Sequence, residues 1–149
     1  MDIFTKPEEC PYYLLSRASL TATAALRRGF SSAGVENVRP AYMGVLLALW
    51  LEDGLKVLDL SRRAGLEPST MTGLLDRMER DGLLTRTPDP DDRRAQRICL
   101  TPDGLSARDP IMKAVDETLA RIMAGLSDEE VETMKRLLRI IISNTGERT

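Results

Sequence analysis

Between Ser69 and Arg94 the chain carries hydroxyls, guanidinium groups and carboxylates at spacings that suit the gripping of a polyanion better than the making or breaking of bonds. Ser69, Thr70 and Thr72 follow closely on Pro68, and Arg77 and Arg80 come about one and a half to three helical turns later. Hydroxyls at a helix start reach base edges or phosphates beside free backbone N–H groups, and an arginine fork pairs bidentately with guanine or clamps a phosphate. Gly73 lies between them. Inside a helix a glycine costs about 1 kcal/mol, and what it offers in return is close approach of the backbone to a ligand. Further on, Arg93 and Arg94 end the segment Pro88-Asp89-Pro90-Asp91-Asp92-Arg93-Arg94, where an exposed arginine on a proline-stiffened loop can enter a narrow minor groove. Asp91 and Asp92 would repel phosphate there unless they pair with and orient those arginines.

Other chemistries fall away. The 149 residues include no histidine, which excludes Ser-His-Asp and Cys-His catalysis and histidine zinc sites. Asp91 and Asp92 are adjacent in a loop and lack the signature of a buried acid–base pair, so no enzyme activity, cofactor or metal site is expected. Cys10 and Cys99 form no CxxC motif, which points to a reducing, cytoplasmic setting. The longest apolar run, Val45 to Leu51, is far short of the roughly 18 residues of a membrane helix, and Met1-Asp2 does not begin an export signal. The formal net charge is -2, and from Ser61 to Arg97 eight arginines face seven acids, so any polyanion site rests on placement and not on bulk charge.

The elements that must position these residues are mostly helical, as expected from 4% aromatic and 30% charged residues. Pro11 suits a first helical position, and Leu14, Leu15, Ala18, Ala22, Ala25 and Leu26 continue a helical period to about Gly29. A break over Ser31 to Gly34 precedes a helix from Pro40 to Gly54, then a short piece from Leu58 to Ala64. Pro68 opens the site-bearing helix, whose Met71, Leu74, Leu75 and Met78 share one face, and Gly82 ends it. Extended pieces from Leu83 to Thr87 and from Ala95 to Leu100 then flank the Pro88 to Arg94 loop as a hairpin. Thr101-Pro102 starts a helix that Pro110 interrupts, with a bend near Ser106 to Asp109. Ser127-Asp128-Glu129-Glu130 has the capping-box form and starts a last helix running to about Asn144. The chain shows no internal repeats and no low-complexity segment.

Helix, tight turn, helix and an immediate hairpin make a winged helix-turn-helix, mainly α with a small β-hairpin wing. With Met71, Leu74, Leu75 and Met78 inward, Ser69, Thr72, Gly73, Asp76, Arg77 and Arg80 point away from the core, a face suited to a major groove. The expected organisation is one domain over 1–149, with a DNA-binding lobe at 39–101 and dimerisation helices at 11–30 and 102–144.

The stretch from Leu60 to Leu84 (LSRRAGLEPSTMTGLLDRMERDGLL), the Asp92-Arg93-Arg94 wing and the Leu100-Thr101-Pro102-Asp103-Gly104 exit resemble the core of the MarR family of regulators. The resemblance implies a homodimeric repressor of a pseudo-palindromic operator, released by a small ligand or an oxidant. Position by position it carries over to Pro68, Ser69, Thr70, Thr72 and Arg77 in the recognition helix. In the wing it carries over to Asp92, Arg93 and Arg94, with an Asp bracing an Arg that reaches the minor groove. Arg39 and Leu58 stand where such proteins often have a Thr or Ser cap, and Gly73 where many have a larger, often basic residue. A winged helix serving as a protein-interaction module is the alternative, since fold alone does not fix function.

The last helix predicts a partner. Val131, Met134, Leu137, Leu138, Ile140, Ile141 and Ile142 cover more than one face, which a monomer of this size has little to cover, the alternative being the central helix of a monomeric bundle. With Tyr12 and Leu15 of the first helix, Val131, Met134, Leu138 and Ile141 are the expected two-fold interface. In similar proteins effectors bind between the dimerisation helices and the winged helix, where Arg17, Tyr42, Met43 and Trp50 are candidates to hold a small aromatic or phenolic effector, Arg17 through a carboxylate or phenolate. Cys99 alternates with Ile98 and Leu100 and should face outward, and Cys10 precedes a helix start without the surroundings of a peroxide sensor, so neither thiol is expected to be the main sensor.

Overall fold

The computed structural model describes residues 6–144, so Met1 and Asp2 lie outside the described residues. Among the described residues seven α-helices and three short strands follow one another as α1 (Pro11–Ser32), α2 (Met43–Leu51), β1 (Leu55–Lys56), α3 (Val57–Ala64), α4 (Pro68–Arg80), β2 (Leu84–Pro88), β3 (Gln96–Leu100), α5 (Pro102–Ser106), α6 (Arg108–Ile122) and α7 (Asp128–Asn144). The order matches the sequence expectation, with instructive shifts at the ends. α1 continues past Gly29 to Ser32, and the second helix is a single 3-10 turn at Pro40–Tyr42 leading into α2. The strand β1 has no sequence forerunner; it pairs antiparallel with β3, Leu55 opposite Ile98, and makes β3 the central strand of a sheet ordered β1-β3-β2. The third helix starts at Val57, one residue before Leu58, with Lys56 as its N-cap.

Local chemistry explains the segments around the site. Gly65 takes φ 65°, the left-handed region that glycine enters without steric penalty, and turns the chain from α3 to α4. The turn is tied twice to one residue: the Leu66 N–H donates to the Ser61 carbonyl at 3.0 Å, and Ser61 Oγ donates to the Leu66 carbonyl at 2.8 Å. Pro68 occupies the first turn of α4, where its missing N–H is no loss. At the other end of the lobe, Thr101 caps α5 by accepting from the Gly104 N–H at 3.0 Å, and it donates to the Gly82 carbonyl at 2.6 Å. The break expected near Ser106 to Asp109 falls at Ala107, which leaves Pro110 in the first turn of α6. The capping box of α7 is closed in both directions, Ser127 N–H to Glu130 at 2.8 Å and Glu130 N–H to Ser127 Oγ at 3.2 Å.

The core lies where α2, α3, α4 and the sheet converge. Tyr42, Leu46, Leu60, Met71, Met78, Leu83 and Ile98 are all fully shielded, joined from α6 by Ile111. Each aliphatic side chain so buried stabilises the fold by about 1.5–3 kcal/mol. α1 packs along α6. α7 behaves differently: no residue of it is buried in the single chain, and Leu137, Leu138, Ile140, Ile141 and Ile142 remain between 36% and 48% exposed. No helix among the described residues is long and apolar enough to cross a membrane.

Candidate nucleic-acid interface

Helix α4 buries Met71, Leu74, Leu75 and Met78 and turns Pro68, Ser69, Thr70, Thr72, Gly73, Arg77 and Arg80 to solvent. Thr72 Oγ1 lies 3.4 Å from the Pro68 carbonyl, a weak back-bond that a better partner can displace. An added Cβ at Gly73 would meet no atom within 4 Å, so the helix leaves open space there. Among the described residues, Arg77 and Arg80 make no ion pair.

The wing is organised by a residue the sequence argument passed over. Asp89 is 3% exposed, and its carboxylate accepts from the backbone N–H groups of Asp91 at 2.9 Å and Asp92 at 3.0 Å and from Arg97 Nε at 2.8 Å, with Lys56 Nζ 3.8 Å away. The Asp91 N–H, then Arg97, the Asp92 N–H and the Lys56 charge hold this carboxyl below its ordinary range against the opposing effect of burial. Arg97 also donates to the Gly54 carbonyl at 3.1 Å, tying the wing base to the turn after α2. The only forewarning in the sequence was Asp between two prolines, a turn signal.

Asp92 Oδ1 accepts from the backbone N–H of Arg94 at 2.9 Å, so it fixes the Arg94 main chain, where the resemblance had implied an Asp bracing an arginine. Arg93 and Arg94 are exposed, and among the described residues their guanidinium groups have no hydrogen bond or ion pair. Arg86 is the opposite case: it reaches from β2 to α4, with Nη2 2.6 Å from Asp76 Oδ1 and Nη1 bonded to Glu79 Oε2. The C-terminal end of α4 is held by Asp81, which accepts from the Tyr42 hydroxyl at 2.6 Å and lies 3.9 Å from Arg39 Nε. Burial, then the bond to Asp81 and its charge, push the Tyr42 hydroxyl up from the usual phenol range.

That engagement bears on the ligand-cleft expectation. Tyr42 is a core residue with its hydroxyl committed to Asp81, and the Trp50 indole N–H donates to the Gly104 carbonyl at 2.9 Å. Met43 is partly buried against the core and Arg17 is exposed on α1. A hollow of about 350 Å³ instead lies between the end of α1 and α6, lined by Gly29, Ser32, Lys113, Glu117, Thr118 and Arg121 among others, and none of the four sequence candidates borders it. The interface candidates fare differently. Leu15, Met134, Leu138 and Ile141 line one apolar groove with Leu137, while Val131 is half-buried on α7 and Tyr12 is 79% exposed near the start of α1. Cys99 faces away from buried Ile98 and Leu100, with Sγ 3.7 Å from Thr87 Oγ1, and Cys10 caps α1.

Comparison with known proteins adds three kinds of likeness. The model of the MarR family matches residues 40–95. The chain is 27% identical over 144 residues to the HTH-type transcriptional repressor IacR of Pseudomonas putida, covering 96% of this chain and 83% of that protein. A MarR-family transcriptional regulator from a Rhodococcus species superposes with a TM-score of 0.71 at 31% identity, over 87% of this chain and 89% of that one. CouR of Rhodococcus jostii, solved with p-coumaroyl-CoA bound, superposes with a TM-score of 0.74 at 30% identity, over 92% and 94% of the two chains.

Proposed function

This chain belongs to the MarR family and is a DNA-binding regulator of transcription, and from that membership we propose that it is a homodimeric, ligand-released repressor acting in the cytoplasm. It sets α4 into the major groove of each half of a pseudo-palindromic operator. Ser69, Thr70, Thr72, Arg77 and Arg80 supply the contacts there, Pro68 starts the helix, and Gly73 lets its backbone come close. Arg93 and Arg94 reach the adjacent minor groove, their loop shaped by Asp92. The observation that carries the proposal is the pairing of a hydroxyl- and arginine-bearing helix face with two wing-tip guanidinium groups that have no partner among the described residues. Among the described residues no large hydrophobic side chain is exposed on α4 or the wing, which speaks against that face as a protein-docking module.

The apolar faces of α7 and the start of α1, through Tyr12, Leu15, Val131, Met134, Leu138 and Ile141, form the two-fold interface. A contiguous exposed patch of that composition marks an association site. The effector is a small aromatic or phenolic acid, in keeping with the aromatic acyl ligand of CouR, and the α1–α6 hollow with Lys113 and Arg121 on its lining is its site. Gel-shift titration on DNA from upstream of the chain's own gene at two salt levels, with sedimentation for mass, tests the reading. A monomer indifferent to DNA would refute it. A thermal-shift screen of aromatic and phenolic acids tests the effector, since a ligand of the folded state raises Tm.

A further inference from the structure

The helix proposed to read DNA carries acids where phosphates would lie. At about 100° per residue, Asp76 falls in the middle of the arc holding Ser69, Thr72, Gly73 and Arg80, and Glu79 falls at its edge beside Thr72. Both are exposed. Left alone, their charges would cancel those of Arg77 and Arg80 and make the outer half of α4 neutral.

Arg86 changes that balance. Its side chain is only 20% exposed, far less than expected of an arginine offered to solvent, and both ends of its guanidinium fork go to α4: Nη2 to Asp76 Oδ1 at 2.6 Å, Nη1 to Glu79 Oε2. We propose that Arg86 is a positioning residue for DNA binding, a strap from the wing strand that engages both Asp76 and Glu79, offsets half of their charge, and fixes the angle between wing and reading helix. Arg77, Arg80, Arg93 and Arg94, which make no ion pair among the described residues, are thereby free for the nucleic acid. A bidentate fork suits this task and an ammonium does not, because only the fork can address two carboxylates on successive turns in one plane. The inference rests on α4 being the DNA-reading helix.

The test is rescue. Fluorescence anisotropy gives Kd for the upstream duplex and for an unrelated duplex of equal length, each at several KCl concentrations, for Arg86→Gln, Arg86→Lys, Asp76→Asn/Glu79→Gln and the triple variant. Freed carboxylates beside phosphate should weaken Arg86→Gln by about 10-fold or more on both duplexes, with the difference shrinking as salt screens it. The triple variant should recover to within about 3-fold of the parent, Arg86→Lys should fall between, and Asp76→Asn/Glu79→Gln should bind the unrelated duplex more tightly with a steeper salt dependence. A triple variant no tighter than Arg86→Gln overturns the proposal, as does an Arg86→Gln that binds like the parent. Should Arg86→Gln fail to fold, an unchanged Kd and salt slope in Asp76→Asn/Glu79→Gln overturns it as well. Thr72→Ala and Arg77→Ala run alongside: if both bind like the parent while the parent binds DNA, the α4 assignment itself falls and takes the strap with it.

Discussion

Gly73→Ala should move stability and DNA affinity in opposite directions. An exposed glycine inside a helix is less favourable than alanine by about 0.8–1.0 kcal/mol, and beyond its own stretch of helix backbone the new methyl would meet no described atom within 4 Å, so no clash offsets the gain. For a chain of this length that corresponds to a rise in Tm of about 2 to 4 °C. On DNA the same methyl occupies the space through which the α4 backbone approaches the duplex. Inserting a methyl into a close-packed contact costs about 1–3 kcal/mol, equivalent to a loss of affinity of roughly 5- to 150-fold. Differential scanning fluorimetry of the free protein and anisotropy titration on one operator duplex, at one salt concentration, measure the two effects. A variant that is more stable and binds as tightly as the parent would refute close approach at this position. A variant less stable than the parent would refute the open, solvent-facing environment assigned to it.

Arg94→Ala should weaken binding to all sequences, lower the salt slope by about 1 and leave Tm unchanged, whereas Thr72→Ala and Arg77→Ala should relax sequence choice by about 1 to 3 kcal/mol, as read by competition with mismatched operators. The Asp89 carboxyl sits below its ordinary value in the folded chain, so its stabilisation is complete above the ordinary carboxylate range and is lost as pH falls through the lowered folded value. Acid titration followed by circular dichroism should show that loss in the parent and a flatter curve for Asp89→Asn, and identical curves would count against the wing-base assignment. Leu138→Glu or Ile141→Glu should convert the dimer to a monomer in sedimentation and abolish high-affinity operator binding, and a variant that stays dimeric would move the interface elsewhere. Peroxide should release the parent and Cys10→Ser from DNA to the same small extent, and selective release of the parent would make Cys10 the sensor.

What the sequence revealed was whatever neighbours in the chain decide. The four inward apolar residues of α4, Pro68 at its start and the Ser127–Glu130 box are all local, and the structure has each of them. The strand β1 was invisible because two residues carry no period and their pairing partner, Ile98, lies more than forty positions away. Asp89 looked like one more loop acid, since the arginine and lysine that make it structural come from β3 and β1. Arg86 was counted among the basic residues, but whether a guanidinium faces DNA or its own helix is set by tertiary placement. The hydrogen bonds of Tyr42 and Trp50 were equally illegible, because their partners, Asp81 and Gly104, are remote in the chain.

Gly104 has a mechanical consequence. A Cβ there would sit 2.0 Å from the Leu83 carbonyl oxygen, its own carbonyl receives the Trp50 indole, and its N–H is held by Thr101, which in turn grips Gly82. At this one residue the exit from the sheet, α2 and the end of the reading helix are pinned together without slack. A push delivered through α5, which Gly104 belongs to, is expected to turn the lobe as one piece. Under the proposed dimeric reading, an effector is expected to alter the distance between the two reading heads more than the shape of either.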